Sequence, residues 1–96
     1  MRDDTGALWE NYLIMERVKR QEYLGISSNN YFWRTYDRKE IDLVEEREGR
    51  LYGYEMKWGK AGSRPPRDWL TAYENASHER ITRENYLEFI LDQPVP

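Results

Sequence analysis

The sequence has no cysteine and only one histidine, His78. Disulfides and thiolate metal centres are therefore excluded, and a histidine-rich zinc site cannot be assembled. Any resident cation would be a hard one held by oxygen. No apolar run approaches the ~18 residues that a transmembrane helix requires. The opening Met1-Arg2-Asp3-Asp4-Thr5-Gly6 carries no apolar segment of the kind that directs secretion. A cytoplasmic chain with no membrane partner is expected. Net positive charge is also missing: the formal total is −3. Nucleic-acid binding would have to rest on local basic patches. There is no internal repeat and no low-complexity tract.

The 96 residues suffice for one small domain, spanning 1–96. A domain of this size buries roughly 60–65% of its unfolded surface, so its stability margin is thin. Aromatic residues make up 15% of the chain, with four Trp and eight Tyr, which argues for a packed core over disorder. The sequence enters a helix almost at once and stops at Pro94-Val95-Pro96, as a piece of a longer protein would.

Periodicity predicts a helix from about Asp4 to Leu24, with Leu8, Tyr12, Met15 and Val18 along a buried stripe that Ala7, Trp9, Leu13 and Ile14 widen to more than one side, and Gly25 as its stop. Tyr31 to Thr35 reads as a first strand, Arg38 to Val44 as a second and Leu51 to Trp58 as a third, the last two joined by a Glu48-Gly49 turn. A loop from Gly59 to Pro66 precedes a short helix through Tyr73. A fourth strand is expected over His78–Thr82 and a closing helix over Arg83–Leu91. The layout is α/β (α+β): a small, mostly antiparallel sheet of three or four strands flanked by helices.

The hairpin carries the candidate chemistry. With Glu48-Gly49 as the loop, paired residue numbers sum to a constant and Asp42 lies opposite Glu55. Strand alternation puts Glu55 and Lys57 on one face, and in this register Asp42 shares it. Facing carboxylates repel unless a cation sits between them or one takes a proton. Asp42 and Glu55 are thus candidate ligands for Mg²⁺ or Mn²⁺, and Lys57 is placed to stabilise charge building on a phosphate. Glu10 would complete the site if the first helix packs across that face. The alternative is a solvated hairpin face with Asp42–Lys57 or Glu40–Lys57 ion pairs, which contribute ~0–1 kcal/mol each. Alternation assigns Ile41, Leu43, Tyr52, Tyr54, Met56 and Trp58 to the opposite, core face.

These residues resemble a known family. Asp42, then Glu55-Met56-Lys57 on the next strand, with Glu10 on a preceding helix, is similar to the PD-(D/E)xK nuclease-like superfamily. Gly6-Ala7-Leu8-Trp9-Glu10-Asn11, Tyr31-Phe32-Trp33-Arg34-Thr35, Glu40-Ile41-Asp42-Leu43-Val44, Tyr54-Glu55-Met56-Lys57-Trp58 and Arg83 to Ile90 resemble, in order, one branch of it. That branch is a C-terminal domain of unknown function found in bacterial and archaeal AAA+-type ATPases. The resemblance implies a restriction-endonuclease-like fold with its site on the second and third strands. It implies Asp42 and Glu55 as metal ligands, Lys57 as the catalytic lysine, Glu10 as the helix glutamate, the Met56 carbonyl as a further ligand, and an N-terminal ATPase domain as partner. Ile41 stands where the superfamily's name has proline. The helix after the third strand lacks the glutamine that some nuclease branches place near a tyrosine.

The expected function is Mg²⁺- or Mn²⁺-dependent hydrolysis of DNA phosphodiesters. A non-catalytic module that binds a partner or docks its own ATPase is the rival, and a homodimer fits either. Lys57, Lys60, Arg64 and Arg67 run without intervening acids, and with Arg34 and Lys39 could line a phosphate-binding rim. Trp58 and Trp69 could stack on bases or belong to the core. The polar stretch around His78 suggests no role for it.

Overall fold

A computed structural model describes residues 4–35, 39–59 and 67–91, apart from the side chain of Asp68. The element order is α1 (Thr5–Leu24), β1 (Asn29–Arg34), β2 (Glu40–Arg47), β3 (Arg50–Met56), α2 (Arg67–Ala72), β4 (Ala76–Ile81) and α3 (Tyr86–Ile90). Every expected element is present, with ends shifted by a few residues. The largest shifts are in the last two: β4 begins at Ala76 instead of His78, and a turn over 83–85 precedes a shorter α3. The chain divides into two compact units. Among the described residues, one comprises 4–27, 56–59 and 81–91, and the other 28–35, 39–55 and 67–80.

The second unit is built on the sheet, whose strand order is β1-β2-β3-β4. β1 and β2 are antiparallel, as are β2 and β3. β4 runs parallel to β3: the Leu51 N–H donates to the Asn75 carbonyl at 3.4 Å, and the Lys57 N–H to the Ile81 carbonyl at 2.8 Å, both partners advancing together. The architecture is therefore α+β with a four-stranded mixed sheet. α2 lies within the crossover that a parallel pair demands.

The hairpin closes as its sequence suggests. Arg47 pairs with Arg50 across Glu48-Gly49, and both turn residues have positive φ, 51° and 77°. That hand matches the right-handed strand twist, and glycine adopts it without steric cost. The register then runs from Arg47↔Arg50 to Leu43↔Tyr54. Asp42 and Glu55 are the next residues on the two strands, beyond the last paired position.

Simple alternation fails just there. Against β1, Val44 pairs with Tyr31 but Ile41 with Trp33, so β2 carries one extra residue at Asp42–Leu43. This β-bulge turns Ile41 to the Val44 side, where both pack on Trp69 with Trp33, Leu51 and Ala76 around them. The assignment of Ile41 to the opposite face from Val44 is thereby corrected. Trp69 from α2 is fully buried and donates its indole N–H to the Ser77 carbonyl at 2.9 Å. Gly53 makes room for it: a Cβ there would lie 3.1 Å from the Trp69 ring and 3.2 Å from Ile41. Of the two tryptophans read as bases' platforms or core, Trp69 is core.

The first unit holds α1, α3 and the residues that follow β3. α1 ends in a left-handed Gly25, with the Ile26 N–H on the Gln21 carbonyl and the Gly25 N–H on Glu22, the Schellman arrangement. Its predicted stripe is only partly buried: Leu13 is buried and Trp9, Ile14 and Val18 are half-buried. Leu13, Arg17 and Gln21 form the buried side, whereas Leu8, Tyr12 and Met15 are exposed. Arg17 and Gln21 can be buried because long side chains bring their polar ends to partners: the Arg17 guanidinium donates to the Phe89 carbonyl at 2.6 Å and lies 4.4 Å over the Phe89 ring. Before α3, Thr82 and Asn85 close a turn, with the Thr82 N–H on Asn85 Oδ1 and the Glu84 N–H on Thr82 Oγ1.

Candidate functional site

The hairpin puts two carboxylates on neighbouring strands for a local reason. The turn fixes a register that runs to Leu43↔Tyr54, and Asp42 and Glu55 follow next on β2 and β3. The bulge then falls on Asp42 itself. Bulges re-aim a side chain out of the regular pleat and are enriched beside active sites. Both acids are half-buried, so neither is a fully solvated surface charge.

Glu55 has a partner that the sequence did not reveal. His78 Nε2 lies 3.2 Å from Glu55 Oε1, with side-chain exposures of only 5% and 13%. The parallel register accounts for it. The Leu51 N–H on the Asn75 carbonyl sets Leu51 level with Ala76, hence Gly53 with His78, on the face that also carries Glu55. His78 thus approaches Glu55 diagonally. The only sequence signal was a lone histidine inside an expected strand.

Glu10 and Lys57 belong to the other unit. There the Trp9 and Trp58 rings meet edge-on with centroids 5.5 Å apart. Glu10 follows Trp9 and Lys57 precedes Trp58, so one aromatic contact anchors the backbone of both. Trp58 is also covered by Arg83, 4.7 Å from its ring centroid, and Trp9 meets Tyr86 at 6.1 Å. Trp58 is a packing residue of this unit with one part of its surface exposed.

The expected phosphate rim is less assembled. Lys60 and Arg64 lie outside the described residues. Arg67 is exposed at the start of α2. Arg34 is engaged with Glu40 at 3.2 Å and stacks over Phe32 at 5.6 Å. A phosphate would have to compete with that exposed pair, which contributes little.

One further acid emerges from the structure. Glu45 is fully buried on β2, with Arg47 Nε 3.0 Å from its Oε1. Arg47 also lies 3.9 Å over the Tyr52 ring and donates to the Tyr54 hydroxyl at 3.3 Å. This is a structural ion pair whose charge is neutralised on the spot. At the far end of β2, Glu46 accepts from the Tyr31 hydroxyl at 2.9 Å. That bond, then desolvation and the carboxylate's charge, raise the Tyr31 phenol above its ordinary value.

The donor chemistry suits a hard divalent cation: two carboxylates and no thiolate. Among the described residues, no three His, Asp or Glu side chains gather closely enough to hold a metal. A cation at the hairpin would rest on Asp42 and Glu55, with water and backbone oxygen completing its shell, a ligand count ordinary for Mg²⁺. Among the described residues, no helix is long and apolar enough to cross a membrane.

A family model described as "Domain of unknown function (DUF4143)" matches residues 5–87. No curated protein and no solved structure matches the chain.

Proposed function

We propose that this chain, which belongs to the DUF4143 family, is a metal-dependent nuclease-like domain of the PD-(D/E)xK type acting on DNA phosphodiesters. The reading is supported by the hairpin register, which ends one residue before Asp42 on β2 and Glu55 on β3, with a bulge at Asp42–Leu43. Asp42 and Glu55 would hold Mg²⁺ or Mn²⁺. Such a cation supplies Lewis acidity towards the phosphate and lowers the pKa of a bound water. Lys57 donates to a phosphoryl oxygen and stabilises the charge that develops there. Arg34 and Arg67, with Lys60 and Arg64, offer positive charge to the DNA backbone. In this reading the domain serves an N-terminal ATPase in a longer protein.

Calorimetric titration of Mn²⁺ tests it. The wild-type chain is expected to bind saturably, and Asp42→Ala to lose at least ~100-fold in affinity, the upper end of what removing even an outer-shell partner costs. An unchanged affinity in Asp42→Ala would remove the assignment.

A second reading, a docking module without catalysis, rests on α1. Leu8, Tyr12, Met15 and Tyr23 are 60%, 49%, 61% and 77% exposed. Their spacings of four, three and eight put them on one helix face, opposite the buried Leu13, Arg17 and Gln21. An apolar strip turned outward marks an interaction surface. This reading expects wild-type chain to self-associate in sedimentation velocity and Leu8→Glu/Met15→Glu to run as a monomer. A wild-type monomer that binds no hydrophobic dye would count against it.

A further inference from the structure

Glu55 is a long, flexible side chain at a position where the proposed chemistry needs a fixed one. An unrestrained glutamate carries up to ~2 kcal/mol of rotamer freedom, which must be given up whenever it binds a cation. The His78 imidazole, 3.2 Å from Glu55 Oε1, is placed to remove that freedom beforehand.

We infer that His78 is the positioning residue of Glu55: its Nε2–H donates to Oε1 and holds the carboxylate in the rotamer that receives the cation. The inference rests on the reading of Glu55 as a metal ligand. An ionised carboxylate only accepts hydrogen bonds, so Nε2 is the donor and the neutral ring has its proton there. The imidazole is itself held. It is almost fully buried on β4, on the face it shares with Ala76, and the parallel register with β3 fixes its reach. Next along the chain, the Ser77 carbonyl accepts the Trp69 indole, so the backbone that carries His78 is tied to the core. The chain Trp69–Ser77–His78–Glu55 links the packed interior to the candidate ligand. Metal ligands are commonly steadied in this way by an outer partner, whose loss costs ~10–100-fold in metal affinity.

Because His78 is the only histidine, a chain labelled with ¹⁵N-histidine reports one ring and needs no assignment. The wild-type ring is expected as the Nε2–H tautomer, its Nε2 resonance shifting in Glu55→Ala and its signals broadening on addition of Mn²⁺. In His78→Leu, of similar bulk and without a donor, Mn²⁺ affinity is expected to fall ~10–100-fold with the circular dichroism unchanged. His78→Gln, whose amide nitrogen reaches a comparable point, is expected to recover most of it. A purely structural histidine would not show that rescue. Wild-type affinity in His78→Leu, or an Nδ1–H ring indifferent to Glu55→Ala, overturns the inference and leaves the cation site standing. Absence of Mn²⁺ binding in the wild type removes the cation site, and the positioning role with it. Should His78→Leu fail to fold, the tautomer and the Gln variant still decide.

Discussion

Trp69→Ala is expected to cost ~3–5 kcal/mol, the range for deleting a large buried aromatic, and to bring the chain close to unfolding. Small domains have total stabilities of about 5–15 kcal/mol, and a chain this short sits low in that range. The reason lies in how many roles the ring combines. It is fully buried, packs on Ile41 and Val44, and meets Trp33 and Tyr73 with centroids 5.5 and 5.1 Å away. Its N–H also satisfies the Ser77 carbonyl. Alanine would leave a void that Gly53, with no side chain, cannot fill, and an orphaned acceptor on β4. Trp69→Phe should lose less, since the hydrogen bond goes but much of the bulk stays. Thermal unfolding followed by circular dichroism measures this. For a domain of this size each kcal/mol moves Tm by ~4–8 °C, so the alanine variant should melt tens of degrees lower. A shift of only a few degrees would mean that the sheet does not depend on α2.

Arg17→Ala is expected to cost ~2–4 kcal/mol, and to act chiefly on α3. A helix of five residues cannot satisfy its own terminal carbonyls, and here α1 does so. Arg17 donates to the Phe89 carbonyl and Arg20 to the Leu91 carbonyl, both cations at the negative end of the helix. Arg17 is buried, so water does not replace what is lost, and a charge-assisted hydrogen bond is worth ~1.5–3 kcal/mol before its packing on Phe89 is counted. Arg17→Met keeps most of the aliphatic stem and separates the two contributions. Hydrogen exchange should show the amides around Phe89 and Leu91 losing protection in both variants. Unchanged protection would assign the stability of α3 to its apolar contacts alone.

What the sequence disclosed and what it withheld follow from the range over which each feature is determined. Glu48-Gly49 is a local signal, and it was enough to set the hairpin register from Arg47↔Arg50 to Leu43↔Tyr54. The direction of Ile41 was not legible, because the bulge at Asp42–Leu43 is a property of the pairing with β1. Periodicity found the extent of α1 but not its orientation. Arg17 and Gln21 look solvent-facing until their distant partners are known, and Phe89 lies near the other end of the chain. His78 escaped notice for the same reason. Its approach to Glu55 needs the parallel register of β3 and β4, which is set by the whole crossover between them. The acids of the hairpin were readable because a hairpin is short-range; their surroundings were not.

The division into two units has a consequence for inheritance. Neither unit is a continuous stretch of chain, and the backbone passes from one to the other four times, at 27–28, at 55–56, between 59 and 67, and at 80–81. No single cut releases either one whole. A recombination event that exchanges one contiguous segment of coding sequence can therefore never transfer either unit entire without carrying part of the other.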